Sequence, residues 1–284
     1  MQPLALSQIT TSPLTLEQDL LLCLRLGCAL EIAEKKLSDD SGRAREQLEQ
    51  IKESGVRITS IQPRTLTIFP SASAPQPSNP QVRLEQLMMS VERFSSFWPG
   101  LPLITNTGAD SNGNEARVWD GCVEHYQTLA VHAERQGMRI ALEALGPSLM
   151  NRNSVLFTFS QAHAMANAVD HPHFGLCLDL YNSWQDAALL TSISAHKLFI
   201  VQLADWRRPR SLHDRRALGD GEIPFRDLLG ALAASGYAGD YVLEIFSESV
   251  DDSLWQDAPT LIQAVEHSIA AFNEWSLHGQ CRIG

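Results

Sequence analysis

Three runs in the second half of the chain end in a carboxylate that follows apolar residues: Ala141-Leu142-Glu143, Cys177-Leu178-Asp179 and Val242-Leu243-Glu244. A fourth, Ile200-Val201-Gln202-Leu203, carries an amide in the same kind of context. An uncompensated charge in apolar surroundings is costly. A divalent cation shared by Glu143, Asp179, Gln202 and Glu244 is the simplest compensation. Carboxylate and amide oxygens are hard donors, so Mn²⁺ or Mg²⁺ is favoured, with Co²⁺ or Zn²⁺ within reach. Taken singly, each carboxylate also reads as a salt-bridged strand end, and Gln202 as an amide that satisfies backbone groups.

The elements that must position these residues alternate along the whole chain. Strand-like runs fall at Leu4–Ile9, Leu30–Ile32, Arg57–Gln62, Leu101–Thr105, Arg139–Glu143, Phe174–Asp179, Leu198–Ala204 and Tyr241–Phe246. Helical patterns separate them. Thr15-Leu16-Glu17-Gln18 has capping-box form and opens a helix that Gly27 closes. Further helices are predicted over Gly42–Ser54, Leu84–Phe97, Val118–Arg135, from Ser160 to Val169, and over Ser183–Ser192, Phe225–Ser235 and Ala258–Trp275. Eight strand–helix pairs predict an α/β fold with a parallel sheet, closed as a (β/α)8 TIM barrel. An open doubly wound sheet is the alternative. The 284 residues suit one barrel domain, and no composition shift marks a second. Pro70–Pro80, with four prolines and three serines, is a loop after the third strand, read as either a lid or a passive surface insertion.

Composition narrows the function. Lys and Arg number 22 against 33 acidic residues, a net charge of −11, which argues against a nucleic-acid partner. No apolar run approaches the length of a membrane span, and the first residues lack the pattern of a secretory signal, so a cytoplasmic location is expected. The five cysteines form no C-x-x-C pair and read as free thiols. No G-x-S-x-G nucleophile motif and no close histidine pair of metal-ligand type occurs; His171 and His173 read as structural or solvated. A basic cluster, Arg207, Arg208, Arg210, Arg215 and Arg216, stands out, with acidic neighbours able to pair with it. Gly219 and Gly221 read as turn glycines rather than a phosphate cradle.

The ordered set LEAL with Pro147, FGLCLDLYN, VQLADW, DRRALGDGEIP and GYAGDYVLEIF resembles the xylose isomerase-like TIM barrels, and within them the sugar phosphate isomerase/epimerase group. The resemblance implies one divalent metal held by Glu143, Asp179, Gln202 and Glu244, with Gln202 in place of a usual histidine. It also implies substrate contacts from Arg215 and from Asn182, which stands where sugar epimerases often carry a histidine. His213 in the same rim loop is a further candidate contact.

These parts suit proton chemistry beside a carbonyl. Glu143 and Glu244 would exchange protons with the substrate through an enediolate, as in an isomerase or epimerase of a sugar, sugar phosphate or polyol. A dehydratase of the inosose or 3-dehydroshikimate type uses the same parts. A non-catalytic sugar-binding barrel is the reading from a different class. The expected partner is a small carbohydrate or polyol, with neither nucleic acid nor membrane, and a homo-oligomer is in keeping with the family.

Overall fold

The computed structural model describes residues 3–209, 214–248 and 250–280. Eight strands run β1 (Ala5–Ser7), β2 (Ala29–Ala33), β3 (Ile58–Gln62), β4 (Pro102–Thr105), β5 (Arg139–Glu143), β6 (Phe174–Asp179), β7 (Leu198–Leu203) and β8 (Asp240–Leu243). They follow one another in sequence order around a closed barrel. The predicted fold class is therefore the observed one. The helices are α1 (Leu16–Leu26), α2 (Ser41–Glu53), α3 (Pro80–Ser95), α4 (Glu115–Arg135), α5 (Phe159–Val169), α6 (Leu180–Ser183), α7 (Leu189–Ser192), α8 (Phe225–Ala234) and α9 (Ala258–Gln280).

Contacts group the chain into two compact units: residues 1–59, 193–195 and 201–284, and residues 60–192 and 196–200. In the first, β1 pairs in parallel with β2 (Leu6 opposite Leu30) and with β8 (Leu6 opposite Leu243). Helix α1 opens with the expected Thr15–Gln18 capping box and closes on Gly27 in the left-handed region. Phe225 of α8 stacks on Trp275 of α9 with ring centroids 5.2 Å apart. In the second unit, β4 pairs with β5 and β5 with β6, the register setting Glu143 opposite Cys177. Tyr126 of α4 packs on Phe174 of β6 at 4.9 Å.

Some boundaries differ from the sequence reading, each for a visible reason. Strand β8 stops at Leu243, because Thr10 Oγ1 donates to the Leu243 carbonyl at 2.8 Å and accepts from Ile245 N at 2.8 Å. Helix α5 is capped by Thr158, not Ser160, since Gln161 completes a capping box with it. The helix expected over Ser183–Ser192 is two single turns, α6 and α7, separated where Asp186 Oδ1 accepts from Ala188 N at 3.0 Å. No helix among the described residues is long and apolar enough to cross a membrane.

Candidate active site

Glu143 is the last residue of β5 and Asp179 the last of β6. Both are buried, with 7% and 1% exposure. Asn182, in the single turn of α6, joins them: its Nδ2 donates to Glu143 Oε1 at 3.0 Å and to Asp179 Oδ2 at 2.7 Å. Asn106, just past β4, donates its Nδ2 to Glu143 Oε2 at 3.4 Å. Asp179 also caps its own helical turn, Oδ1 accepting from Tyr181 N at 2.9 Å. Gly146, in the loop after β5, lets that loop close on Asn182: a Cβ there would stand 2.3 Å from the Asn182 carbonyl oxygen. The second unit thus brings three of the expected residues, Glu143, Asp179 and Asn182, into one cluster. Asn106 is an addition that no strand-end pattern marks.

In the first unit Gln202, fully buried in β7, donates its Nε2 to both carboxylate oxygens of Glu31 on β2, at 3.2 and 3.4 Å. That bond fixes which way the amide of Gln202 points, as outer hydrogen bonds do for many metal ligands. Glu31 is itself fully buried. Sequence reasoning passed over it, although Leu30-Glu31-Ile32 is the same signature, a carboxylate among apolar strand residues, that singled out Glu143. Glu244 lies one residue beyond β8, its N–H still donating to the Leu203 carbonyl at 2.9 Å. Arg215 Nη1 donates to Glu244 Oε2 at 2.8 Å and to the Glu244 carbonyl at 3.1 Å, and its guanidinium lies 5.0 Å from the Phe246 ring centroid. The structure therefore pairs Arg215 with one of the expected proton-transfer groups. His213 and Arg210 lie outside the described residues.

The other described members of the basic cluster, Arg207, Arg208 and Arg216, are paired locally. Arg216 is paired with buried Asp214 and with Asp252, Arg207 with Asp252, and Arg208 with Glu222. Arg216 holds the Asp252 carboxyl below its usual range. Asp205 is wrapped by backbone donors: Trp206 N at 2.8 Å, Gly219 N and Gly221 N at 3.0 Å, and Ile223 N at 3.2 Å. Burial nevertheless raises its carboxyl above the ordinary value, the four N–H groups acting the other way. A Cβ at Gly221 would stand 2.3 Å from Asp205 Oδ1. The two glycines thus cradle the protein's own carboxylate. His173, in the turn before β6, bonds the Met138 carbonyl through Nδ1 at 2.6 Å, a structural role as expected.

Among the described residues no three His, Cys, Asp or Glu side chains form a ready cluster for a metal. What the structure offers is a pair, Glu143 and Asp179, whose oxygens converge on one amide nitrogen. Two carboxylates drawn to one point by a donor fit a hard cation in charge and donor type. In the first unit, taken by itself, Gln202 and Glu244 are oxygen-bearing side chains oriented by Glu31 and Arg215.

Comparison with known proteins agrees with this architecture. The family described as xylose isomerase-like TIM barrel matches residues 26–272, and the chain belongs to it. It is 27% identical over 251 residues to a 3-dehydroshikimate dehydratase of Pseudomonas putida, covering 84% of this chain but 36% of that protein. The chain therefore spans little more than a third of that relative's length. It is 25% identical over 213 residues to the L-ribulose-5-phosphate 3-epimerase UlaE of Escherichia coli, covering 71% and 69% of the two chains. Protein SMc04130 of Sinorhizobium meliloti shares the fold with a TM-score of 0.81 at 20% identity, over 96% of this chain and 98% of that one. The IOLI protein, solved with a zinc atom, shares it at 0.75 and 20%, over 96% and 99%.

Proposed function

We propose that this chain is a divalent-metal-dependent isomerase or epimerase of a sugar, sugar phosphate or polyol, acting by proton transfer through an enediolate. The observation that carries the reading is the meeting of buried Glu143 and Asp179 on the amide of Asn182. Under it, Glu143, Asp179, Gln202 and Glu244, from four strands successive in barrel order, hold one divalent ion, Mn²⁺ or Mg²⁺ before Co²⁺ or Zn²⁺. A bound cation supplies Lewis-acid stabilisation for charge developing on a substrate oxygen. Glu143 and Glu244 move the proton: one takes it from the carbon beside the carbonyl and the other returns it. Return to the opposite face of the same carbon epimerises, and return to the neighbouring carbon isomerises. Arg215 orients Glu244 through Oε2, and Asn182, whose N–H donors serve Glu143 and Asp179, offers its amide oxygen to a substrate hydroxyl. Arg215 and His213 complete the substrate contacts. The chain works as one barrel domain in the cytoplasm on a small molecule, with self-association as its macromolecular contact.

A dehydratase is the second reading, and two observations favour it. The relative matched over most of this chain bears that name, and Asn182 holds no titratable proton where sugar epimerases often have histidine. Proton removal is then followed by loss of a hydroxyl from the β-carbon. One experiment separates the readings. The Mn²⁺-treated protein is incubated in D2O with ketoses and their phosphates, followed by NMR, and with inososes and 3-dehydroshikimate, followed by ultraviolet absorbance. Deuterium entering the carbon beside the carbonyl without a new chromophore supports the epimerase or isomerase. A growing conjugated chromophore supports the dehydratase. Turnover that persists in Glu143→Gln or Glu244→Gln refutes the two-carboxylate mechanism, and absence of any turnover leaves the binding barrel.

A further inference from the structure

The loops that follow β3, β4 and β5 enclose a cavity of about 540 Å³ in the second unit, within the size range of small-molecule sites. Glu143, Asp179 and Asn182 do not line it. Its walls are tied together rather than merely adjacent. Phe69 N donates to the Thr107 carbonyl at 2.8 Å, and Ala109 N to the Pro70 carbonyl at 2.9 Å. Ala72 N donates to the Arg152 carbonyl at 2.8 Å, and Asn153 Nδ2 to Ser73 Oγ at 2.8 Å. Gly108 permits the closest approach: a Cβ there would stand 2.0 Å from the Phe69 carbonyl oxygen. Buried Arg83 of α3 anchors the same Pro70–Pro80 segment, donating to the carbonyls of Gln76 and Pro77 at 3.0 Å each and to that of Thr67 at 2.9 Å. The proline-rich loop is thus a held wall of a cavity.

The chemistry of the lining is specific. Phe69, Pro70 and Ala109 supply apolar surface, and Pro75 faces the same space. Two guanidinium groups stand there with one carboxylate. Arg117 is bound to Asp110 at 2.9 Å and sits 6.0 Å from the Phe69 ring centroid. Arg152 is exposed and has no ion-pair partner among the described residues. The nearby Glu115 carboxylate is engaged by Asn151 Nδ2. Arg117 and Arg152 are matched in number by Asp110 and the nearby Glu115, and Arg152 is the lining cation that no carboxylate pairs among the described residues, beside an apolar floor. Arginine presents a planar fork suited to carboxylate, and an apolar floor with an aromatic edge suits a ring.

We propose that this cavity is a second binding site, separate from the Glu143–Asp179 cluster, for a small organic anion that carries a carboxylate on a ring. Arg152 is its carboxylate receptor, with Arg117 alongside, and the Phe69 surface receives the ring. The site stands independently of the proton-transfer reading.

The test is a titration of the ¹⁵N-labelled full chain with benzoate, read by TROSY NMR. Millimolar affinity, about −4 kcal/mol, is expected for so small a probe. Shifts are expected in amides of residues 69–78, 109–112 and 151–153. Arg152→Ala, an exposed position whose loss leaves the fold intact, should weaken binding about tenfold, as the loss of one charge-assisted bond does. Glu143→Gln should bind benzoate like the parent. Benzyl alcohol, with the ring and no charge, and inorganic phosphate, with charge and no ring, should each bind at least tenfold more weakly. The proposal is overturned if benzoate leaves those amides unmoved, or if Arg152→Ala binds as tightly as the parent. It is equally overturned if Glu143→Gln alone abolishes binding, or if phosphate or benzyl alcohol matches benzoate.

Discussion

Asn182→Ala should expose how much the structure depends on the bridge between Glu143 and Asp179. The amide nitrogen lies 3.0 Å from one carboxylate oxygen and 2.7 Å from the other, and both residues are buried. Without it, two carboxylates whose facing oxygens lie within 3.0 Å of the vacated nitrogen position repel by about 3 kcal/mol at an effective dielectric of about 20. Two charge-assisted hydrogen bonds are lost as well, each contributing about 1.5–3 kcal/mol. Relaxation of the two side chains limits the sum, so a net loss of about 3 kcal/mol is expected at neutral pH in EDTA. For a domain of this size that lowers Tm by about 6 °C. A cation that binds the two carboxylates replaces the missing donor, so saturating Mn²⁺ should raise the Tm of the variant more than that of the parent. The assay is urea and thermal denaturation of both proteins, in EDTA and in Mn²⁺. A loss under about 1 kcal/mol would refute the bridging argument. Equal Mn²⁺ shifts in the two proteins would refute the link between the bridge and the cation.

Other parts of the structure give further expectations. Asp205→Ala leaves four backbone N–H groups without their acceptor and should destabilise the chain by about 2–4 kcal/mol in urea denaturation, with faster proteolysis near residues 216–223. Arg83→Met removes the anchor of the proline-rich loop, so limited proteolysis should cut within residues 70–79 before the barrel unfolds, whereas the parent resists there. His163 is packed edge-on to Phe159 at 4.8 Å, and burial first, then His196 and Lys197, lower its pKa. A histidine with a depressed folded-state pKa favours the unfolded chain as pH falls below its ordinary value of about 6.5. Tm should therefore fall from pH 7 to pH 5.5 less steeply in His163→Phe than in the parent.

What was legible in the sequence follows the range of the interactions involved. Local chemistry could be read directly: the Thr15 capping box, the Gly27 terminus and the apolar runs ending in Glu143 and Asp179 are all where the pattern put them. Two of the missed boundaries turn on local bonds, the Thr158–Gln161 capping box and the Asp186–Ala188 turn, and one turns on a distant side chain. Thr10 ends β8 from 233 positions away in sequence, and no local pattern around Leu243 encodes that. The candidate site divides in the same way. Glu143 and Asp179 could be named from their runs and Asn182 from the family resemblance, but Asn106 has no signature beyond following a strand. Glu31 carried a usable signal, a carboxylate between Leu30 and Ile32, that lay outside the late-strand set. The cavity between the loops was illegible because it depends on Arg83, Asn153 and Gly108 tying together segments far apart in the chain.

The most direct test of the proposed function is metal content by elemental mass spectrometry after incubation with Mn²⁺ and dialysis. The parent chain is measured beside Glu143→Gln, Asp179→Asn and Glu244→Gln, each checked for native secondary structure. About one divalent ion per parent chain is expected, with a clear reduction in every variant. A folded parent that retains no metal, or variants that retain as much as the parent, would contradict the four-strand site and the proton-transfer chemistry built on it.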